Sequence, residues 1–243
     1  ACFEEARALA AAAGDVGTES LALHGLGVVA HDSSDYGLAL DYHTRAADRA
    51  RAAGDRRALG NAIGSMAAVS YYRGDLDAAE RYWNEALAIF SAMGDVTTEA
   101  MIAGNLGAVA AERGDFARAE QLQQRALALQ RRLGLKRDVP FALINLGEVA
   151  RALGDHALAH DCYAEAIALL REQGNTALEG AALHGSAKLA LAAGNLVDAG
   201  ALALESLRLL ADVGDQLSIV EIGELAAVIC SAHGRHDRAA ELL

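Results

Sequence analysis

Proline, cysteine, lysine and aromatic residues are all scarce in this chain. One proline, three cysteines and two lysines occur in 243 residues, and Phe, Trp and Tyr together make up 5%. A lone proline leaves long stretches free to be helical, because an interior proline removes a backbone hydrogen bond and costs a helix about 3 kcal/mol. Cys2, Cys162 and Cys230 are odd in number and far apart. That excludes a disulfide framework and suits a reducing cytoplasm. No uncharged apolar run reaches the ~18 residues of a membrane span, and no basic-then-apolar leader opens the chain. Basic residues are outnumbered 33 to 21, leaving a net charge of −12. A phosphate-backbone binder needs a basic face, so neither nucleic acid nor membrane is an expected partner. The chain lacks an initial Met and stops at "RAAELL" within a helical pattern, so it reads as an excised piece of a longer protein.

What the sequence has is period. Gly14-Asp15, Gly54-Asp55, Gly94-Asp95, Gly174-Asn175 and Gly214-Asp215 are spaced in steps of forty, with Gly134-Leu135 in the vacant place. A second series, Gly74-Asp75, Gly114-Asp115, Gly154-Asp155, Gly194-Asn195 and Gly234-Arg235, runs out of phase with Ser34-Asp35 at its head. Two turns per forty residues, joined by apolar spacing of helical period, predict a stack of helix pairs. Each pair is a helix of about 16 residues and a second of about 18. Glycine ends one helix in the left-handed conformation, and the following Asp or Asn caps the next. Thr176 with Glu179 and Ser218 with Glu221 read as additional capping boxes. The strings Arg73-Gly74-Asp75 and Arg113-Gly114-Asp115 spell an adhesion tripeptide, but both fall in the second turn series. There the arginine ends a helix and the aspartate is occupied as a cap.

Columns taken every forty residues give the packing. Val29, Val69, Val109, Val149, Leu189 and Ile229 form an aliphatic line, while Gly27, Ala67, Gly107, Gly147, Ala187 and Ala227 stay small. Ala39, Ala79, Ala119, Ala159, Ala199 and Ala239 are alanine every time, and Ala46, Ala86, Ala126, Ala166 and Ser206 are small again. Small residues at fixed places let neighbouring helices approach closely. With "NLG" at Asn105–Gly107 and at Asn145–Gly147, Trp83 or Tyr163 as the large residue, and Ala86 or Ala166 after it, the pattern resembles the tetratricopeptide repeat. The forty-residue step departs from the usual 34 and is similar to the kinesin-light-chain-like variant found at the C-termini of large bacterial signalling ATPases and transcriptional regulators. Alanine, serine or cysteine also replaces the tyrosine expected late in the first helix. The resemblance implies an all-α fold, an α-solenoid of antiparallel helix pairs in a right-handed superhelix. The expected organisation is a single array over 1–243 with complete repeats at 18–53, 58–93, 98–133, 138–173 and 178–213 and partial ones at 1–13 and 218–243.

Chemistry is sparse. His156 and His160 share a helix face but have no third ligand at motif spacing, and "HGLG" at His24–Gly27 lies within a helix. The three cysteines stand in core columns and read as buried thiols. No nucleophile, base and acid come together, so an enzyme, a cofactor and a metal are not expected. In one column Arg45, Glu85, Arg125 and Glu165 alternate in sign before Glu205, the pattern of a ladder between neighbouring repeats.

The resemblance places ligands on the first helices, which line the concave groove. Asn105 and Asn145 then fall where related arrays grip the main chain of an extended peptide, an amide offering donor and acceptor together. Arg151 and Lys188 are candidates for an acidic group on a partner, with Glu148 and His184 beside them. The expected function is a non-enzymatic scaffold or sensor that binds a protein segment or peptide. A small-molecule effector held by Tyr71, Tyr72, Met101 and Phe141 is the alternative. Self-association through the cut ends is a third.

Overall fold

The computed structural model describes residues 2–213 and 216–232. Among the described residues there are twelve α-helices and no strand. In chain order they are α1 Cys2–Ala13, α2 Val16–Asp32, α3 Tyr36–Ala53, α4 Arg56–Tyr72, α5 Leu76–Met93, α6 Val96–Glu112, α7 Phe116–Leu133, α8 Val139–Leu153, α9 His156–Gln173, α10 Thr176–Ala192, α11 Leu196–Val213 and α12 Gln216–Ala232. The fold is an all-α solenoid of antiparallel helix pairs. Helix contacts divide it into two compact units, Ala1–Gly114 and Asp115–Leu243. The first holds α1–α6 and the second α7–α12.

The turns follow from their chemistry. Nine glycines between Gly14 and Gly194 have φ between +67° and +81°, and Ser34 takes the tenth place at +60°. A side chain pays sterically in that region, which is why glycine recurs there. Each next residue closes the following helix start: Asp75 Oδ1 accepts from the Ala78 amide at 3.0 Å, and Asp155 from Leu158 at 3.0 Å. Leu135 breaks the series because it has no acceptor. Helix α8 accordingly starts later, at Val139, with the only proline in its first turn and no side-chain cap from Asp138.

Three expectations are corrected here. Thr176 and Glu179 form no capping box: Asn175 is the cap, accepting from Leu178 at 3.2 Å, and Glu179 instead accepts from Arg171 at 2.7 Å. The sign-alternating column is no ladder of its own. Arg45 pairs with Asp41 on its own helix, while Glu165 takes Arg131 and Glu205 takes Arg171. Those partners end the preceding second helix, so the rungs run between different columns. Cys2 is exposed and Cys230 is half-buried, so only Cys162 is the buried thiol that its column implies. Gly214-Asp215, Gly234-Arg235, Ala239 and the side chains of Ser218 and Glu221 lie outside the described residues.

The small columns are where helices meet. Ala39, Ala79, Ala119, Ala159 and Ala199 have no exposed surface. A Cβ on Gly27 would stand 2.5 Å from the His43 ring, and one on Gly147 would stand 2.8 Å from the Tyr163 ring. Serine continues the second small column by bonding backbone, Ser206 Oγ donating to the Gly180 carbonyl at 2.7 Å. The aliphatic line is buried from Val69 to Ile229, whereas Val29 is exposed, only the single helix α1 preceding it. Both tripeptide arginines cap helices, and Arg113 also holds Asp77 and, at 2.7 Å, Glu80.

Candidate functional site: the first-helix faces

In the second unit the candidate residues converge on adjoining faces of α8 and α10. Phe141, Asn145 and Glu148 recur on α8 at intervals of four and three, and His184 and Lys188 at an interval of four on α10. Tyr163 of α9 stands behind them. Its ring passes through the space left by Gly147 on α8 and Gly185 on α10, where added Cβ atoms would stand 2.8 and 2.5 Å away. The hydroxyl of this fully buried tyrosine donates to Glu148 Oε1 at 2.8 Å. Arg151 donates to the other carboxylate oxygen from Nη2 at 2.8 Å and from Nε at 3.3 Å.

The electrostatics follow from this geometry. Burial works against ionisation of Glu148, but the Arg151 bonds and charge, the Tyr163 hydroxyl and the nearby Lys188 together hold its carboxyl below the usual range. Burial, followed by the Glu148 charge, raises Tyr163. His184, 7% exposed, is pushed down to about 4 by burial and then by Lys188. Lys188 makes no ion pair among the described residues, so Glu148 and the two cations leave a local surplus of one positive charge. The Asn145 Nδ2 is buried and has no hydrogen-bond partner among the described residues. Phe141 beside it is 48% exposed. The face thus presents a cation and an apolar ring beside a buried, unpartnered amide, in a chain of net charge −12.

The first unit carries the remaining candidates. Asn105 is half-buried on α6, one turn after Met101, which is 52% exposed. Leu21, in the same column of α2, is 61% exposed. Met101 lines a cleft of about 220 Å³ with His24, Asn61, Trp83 and Phe90, which neither Tyr71 nor Tyr72 enters. Tyr71 instead donates to Glu112 at 3.4 Å, and burial followed by that carboxylate raises its pKa. Tyr72 stacks on Tyr36 at 6.1 Å between ring centroids and meets His31 edge-on at 5.1 Å. The two tyrosines therefore belong to the turn end of α4 and Met101 to the cleft. Nearby, His43 is buried against Gly27 and pushed down to about 4 by burial and by His24 and His31.

The sequence reading missed Tyr163 as the support of the second face. The signal was present: a large aromatic residue in a column whose partners, Gly147 and Gly185, are both glycine. His156 and His160 line a separate cleft among α9, α10 and α11, and no group of three potential metal ligands occurs among the described residues.

The family profile for the tetratricopeptide repeat matches residues 18–92 and 98–172. The chain belongs to the tetratricopeptide-repeat family. Solved tetratricopeptide-like structures agree. BtubC (BKLC) from P. vanneervenii superposes with a TM-score of 0.71 at 17% identity, over 84% of this chain and 86% of that one. A Rap protein complexed with competence and sporulation factor gives 0.73 at 15% identity, over 93% and 73%. A signal transduction ATPase with numerous domains from Pyrococcus horikoshii, which has a tetratricopeptide repeat sensor, gives 0.73 at 16%, over 94% of this chain and 36% of that one. This chain thus spans about a third of that ATPase, and at these identities the likeness is one of fold. No curated protein matches the sequence. None of the described helices is long and apolar enough to cross a membrane.

Proposed function

We propose that this chain is a non-enzymatic repeat array that binds a protein segment or peptide on its first-helix faces. In this reading it is the sensor or scaffold part of a larger bacterial cytoplasmic regulator. The observation that carries the proposal is the face of α8 and α10, where the unpartnered Asn145 amide, the unpaired Lys188 ammonium and the exposed Phe141 ring lie together. Exposed apolar side chains rimmed by polar ones mark interaction surfaces. A buried amide with no partner gains when its side chain turns outward to meet a ligand backbone. The positive surplus favours a segment with an acidic group next to an apolar side chain. The Rap protein complexed with a factor supports binding as a use of this fold, and the ATPase with a repeat sensor supports the regulatory setting.

Selecting displayed peptides against the purified chain tests this. The selected peptides are expected to combine an acidic and an apolar residue. Asn145→Ala and Lys188→Ala are each expected to weaken binding about tenfold, the equivalent of 1.4 kcal/mol. Peptides that bind both variants as tightly as the natural sequence would place recognition elsewhere.

A further inference from the structure

A second cleft lies in the same unit but on another side of the helices. It opens where α9, α10 and α11 meet and encloses about 630 Å³. Its floor comes from Ser186, Leu189, Ala190 and Ala193. At 100° per residue these sit on the flank of α10 opposite His184 and Lys188. The cleft is therefore separate from the proposed peptide face.

Departures from the repeat create it. The position of Ser186 is Leu26, Met66, Leu106 and Leu146 in the four preceding repeats, and Ala226 in the one that follows. Leu146 is 3% exposed and packs in a cluster with Leu127 and Cys162. Forty residues on, the same three positions are Ser186, Ile167 and Leu202, and all three line the cleft. The side chain that fills the gap one repeat earlier is missing here. The outer walls depart in the other sense. Ala201 stands where Asp41, Arg81, Gln121 and Asp161 are found in the preceding repeats, and Ala164 where Thr44, Asn84 and Gln124 are found before it. A core residue became small and polar while rim residues became apolar, which moves the apolar surface outward into a concavity.

The cleft also has polarity along its length. His156, His160, Asn195 and Asp198 line the end near the Gly154 and Gly194 turns, and Ile167, Ser186 and Leu202 line the inner end. From His156 to Ile167 the helix advances about 16 Å at 1.5 Å per residue. A single small molecule fits, since such sites hold about 300–1,000 Å³. Asp198 carries the only full acidic charge among the described lining residues and already accepts from the Asn195 amide. An anionic head would face that carboxylate, whereas the imidazoles offer donors and acceptors to a neutral head.

We infer that this cleft binds a small neutral amphiphile, its apolar chain between Ile167 and Leu202 and its hydroxyl or carbonyl head at His156 and His160. The test is fluorescence titration of the whole chain with the neutral probe N-phenyl-1-naphthylamine, followed by displacement with monodecanoyl glycerol and with decanoate. The expected result is saturable binding at one site, displaced at least tenfold more readily by the glyceride than by the anion. Ser186→Leu, which restores the filling side chain, is expected to weaken probe binding at least tenfold. Ala201→Asp restores a residue found twice in the column at an exposed position, and it keeps the test valid if the first variant folds poorly. Failure of the probe to saturate, or equal binding by a folded Ala201→Asp variant, overturns the site. Equal displacement by decanoate overturns the neutral head.

Discussion

Gly185→Ala is the most informative single change, because it opposes two effects of known size. On an exposed helix an alanine in place of glycine stabilises by about 1 kcal/mol. Here its Cβ would stand 2.5 Å from Tyr163 Cε1 and 2.6 Å from Cζ, inside any normal carbon contact. The ring cannot swing away, since Gly147 bounds it on the α8 side and the residue has no exposed surface. Overpacking of this kind costs about 1–3 kcal/mol. Displacing the ring also breaks the 2.8 Å bond from its hydroxyl to Glu148, a charged acceptor, for about 1.5–3 kcal/mol more. After the helix-propensity gain, the net expectation is a loss of about 1.5–5 kcal/mol. Urea unfolding followed by circular dichroism, with hydrogen exchange across α8–α10, measures it. In a Tyr163→Ala background, matching Ala203 one repeat on, the same substitution should become neutral or stabilising. If Gly185→Ala alone stabilises the chain by about 1 kcal/mol, Tyr163 is not held between the two glycines and the support assigned to Glu148 fails.

Two buried histidines set an acid limit on stability. His43 and His184 have folded values of about 4 against an ordinary 6.5, so the unfolded chain binds protons first. Their contribution is complete above pH 6.5 and is lost as pH falls toward 4, by up to about 3 kcal/mol each. Urea midpoints against pH should show this slope, and His43→Gln, borrowing Gln123 of the same column, should flatten part of it. Cys162 is 4% exposed and its thiol is pushed up to about 11 by burial, so it should react with an aromatic disulfide reagent only on unfolding, whereas exposed Cys2 reacts at once. Asp75→Ala removes the cap on α5 and should cost about 0.5–2 kcal/mol in unfolding experiments.

The turns were legible because their chemistry is local. A left-handed glycine followed by an oxygen acceptor needs no knowledge of the neighbouring helices, whereas the late start of α8 after Leu135 was not foreseen from the column alone. The small columns were legible for a related reason, since one geometry repeats every forty residues and imposes one size. What stayed hidden depends on pairs of columns. Tyr163 needs Gly147 before it and Gly185 after it, and a column viewed alone showed only an aromatic residue among His43, Trp83 and Gln123. The ion pairs failed likewise: Arg131 reaches Glu165 and Arg171 reaches Glu205 across 34 residues, not forty. Reading each column against itself therefore chose the wrong partners. The cleft of α9–α11 lay in plain sight as Ser186 after three leucines and a methionine in its column, but only its neighbours show that nothing else fills the space.

Site-specific photo-crosslinking tests peptide binding most directly. A benzophenone amino acid is placed at Phe141 on the first-helix face or, as the control, at Val197 on α11, which is 75% exposed. Each protein is irradiated with the tightest peptide from the selection. Capture at position 141 that is suppressed by Asn145→Ala/Lys188→Ala, with no capture at position 197, is the predicted result. Capture at 197 alone, or at both positions regardless of the two substitutions, would contradict recognition by the first-helix face.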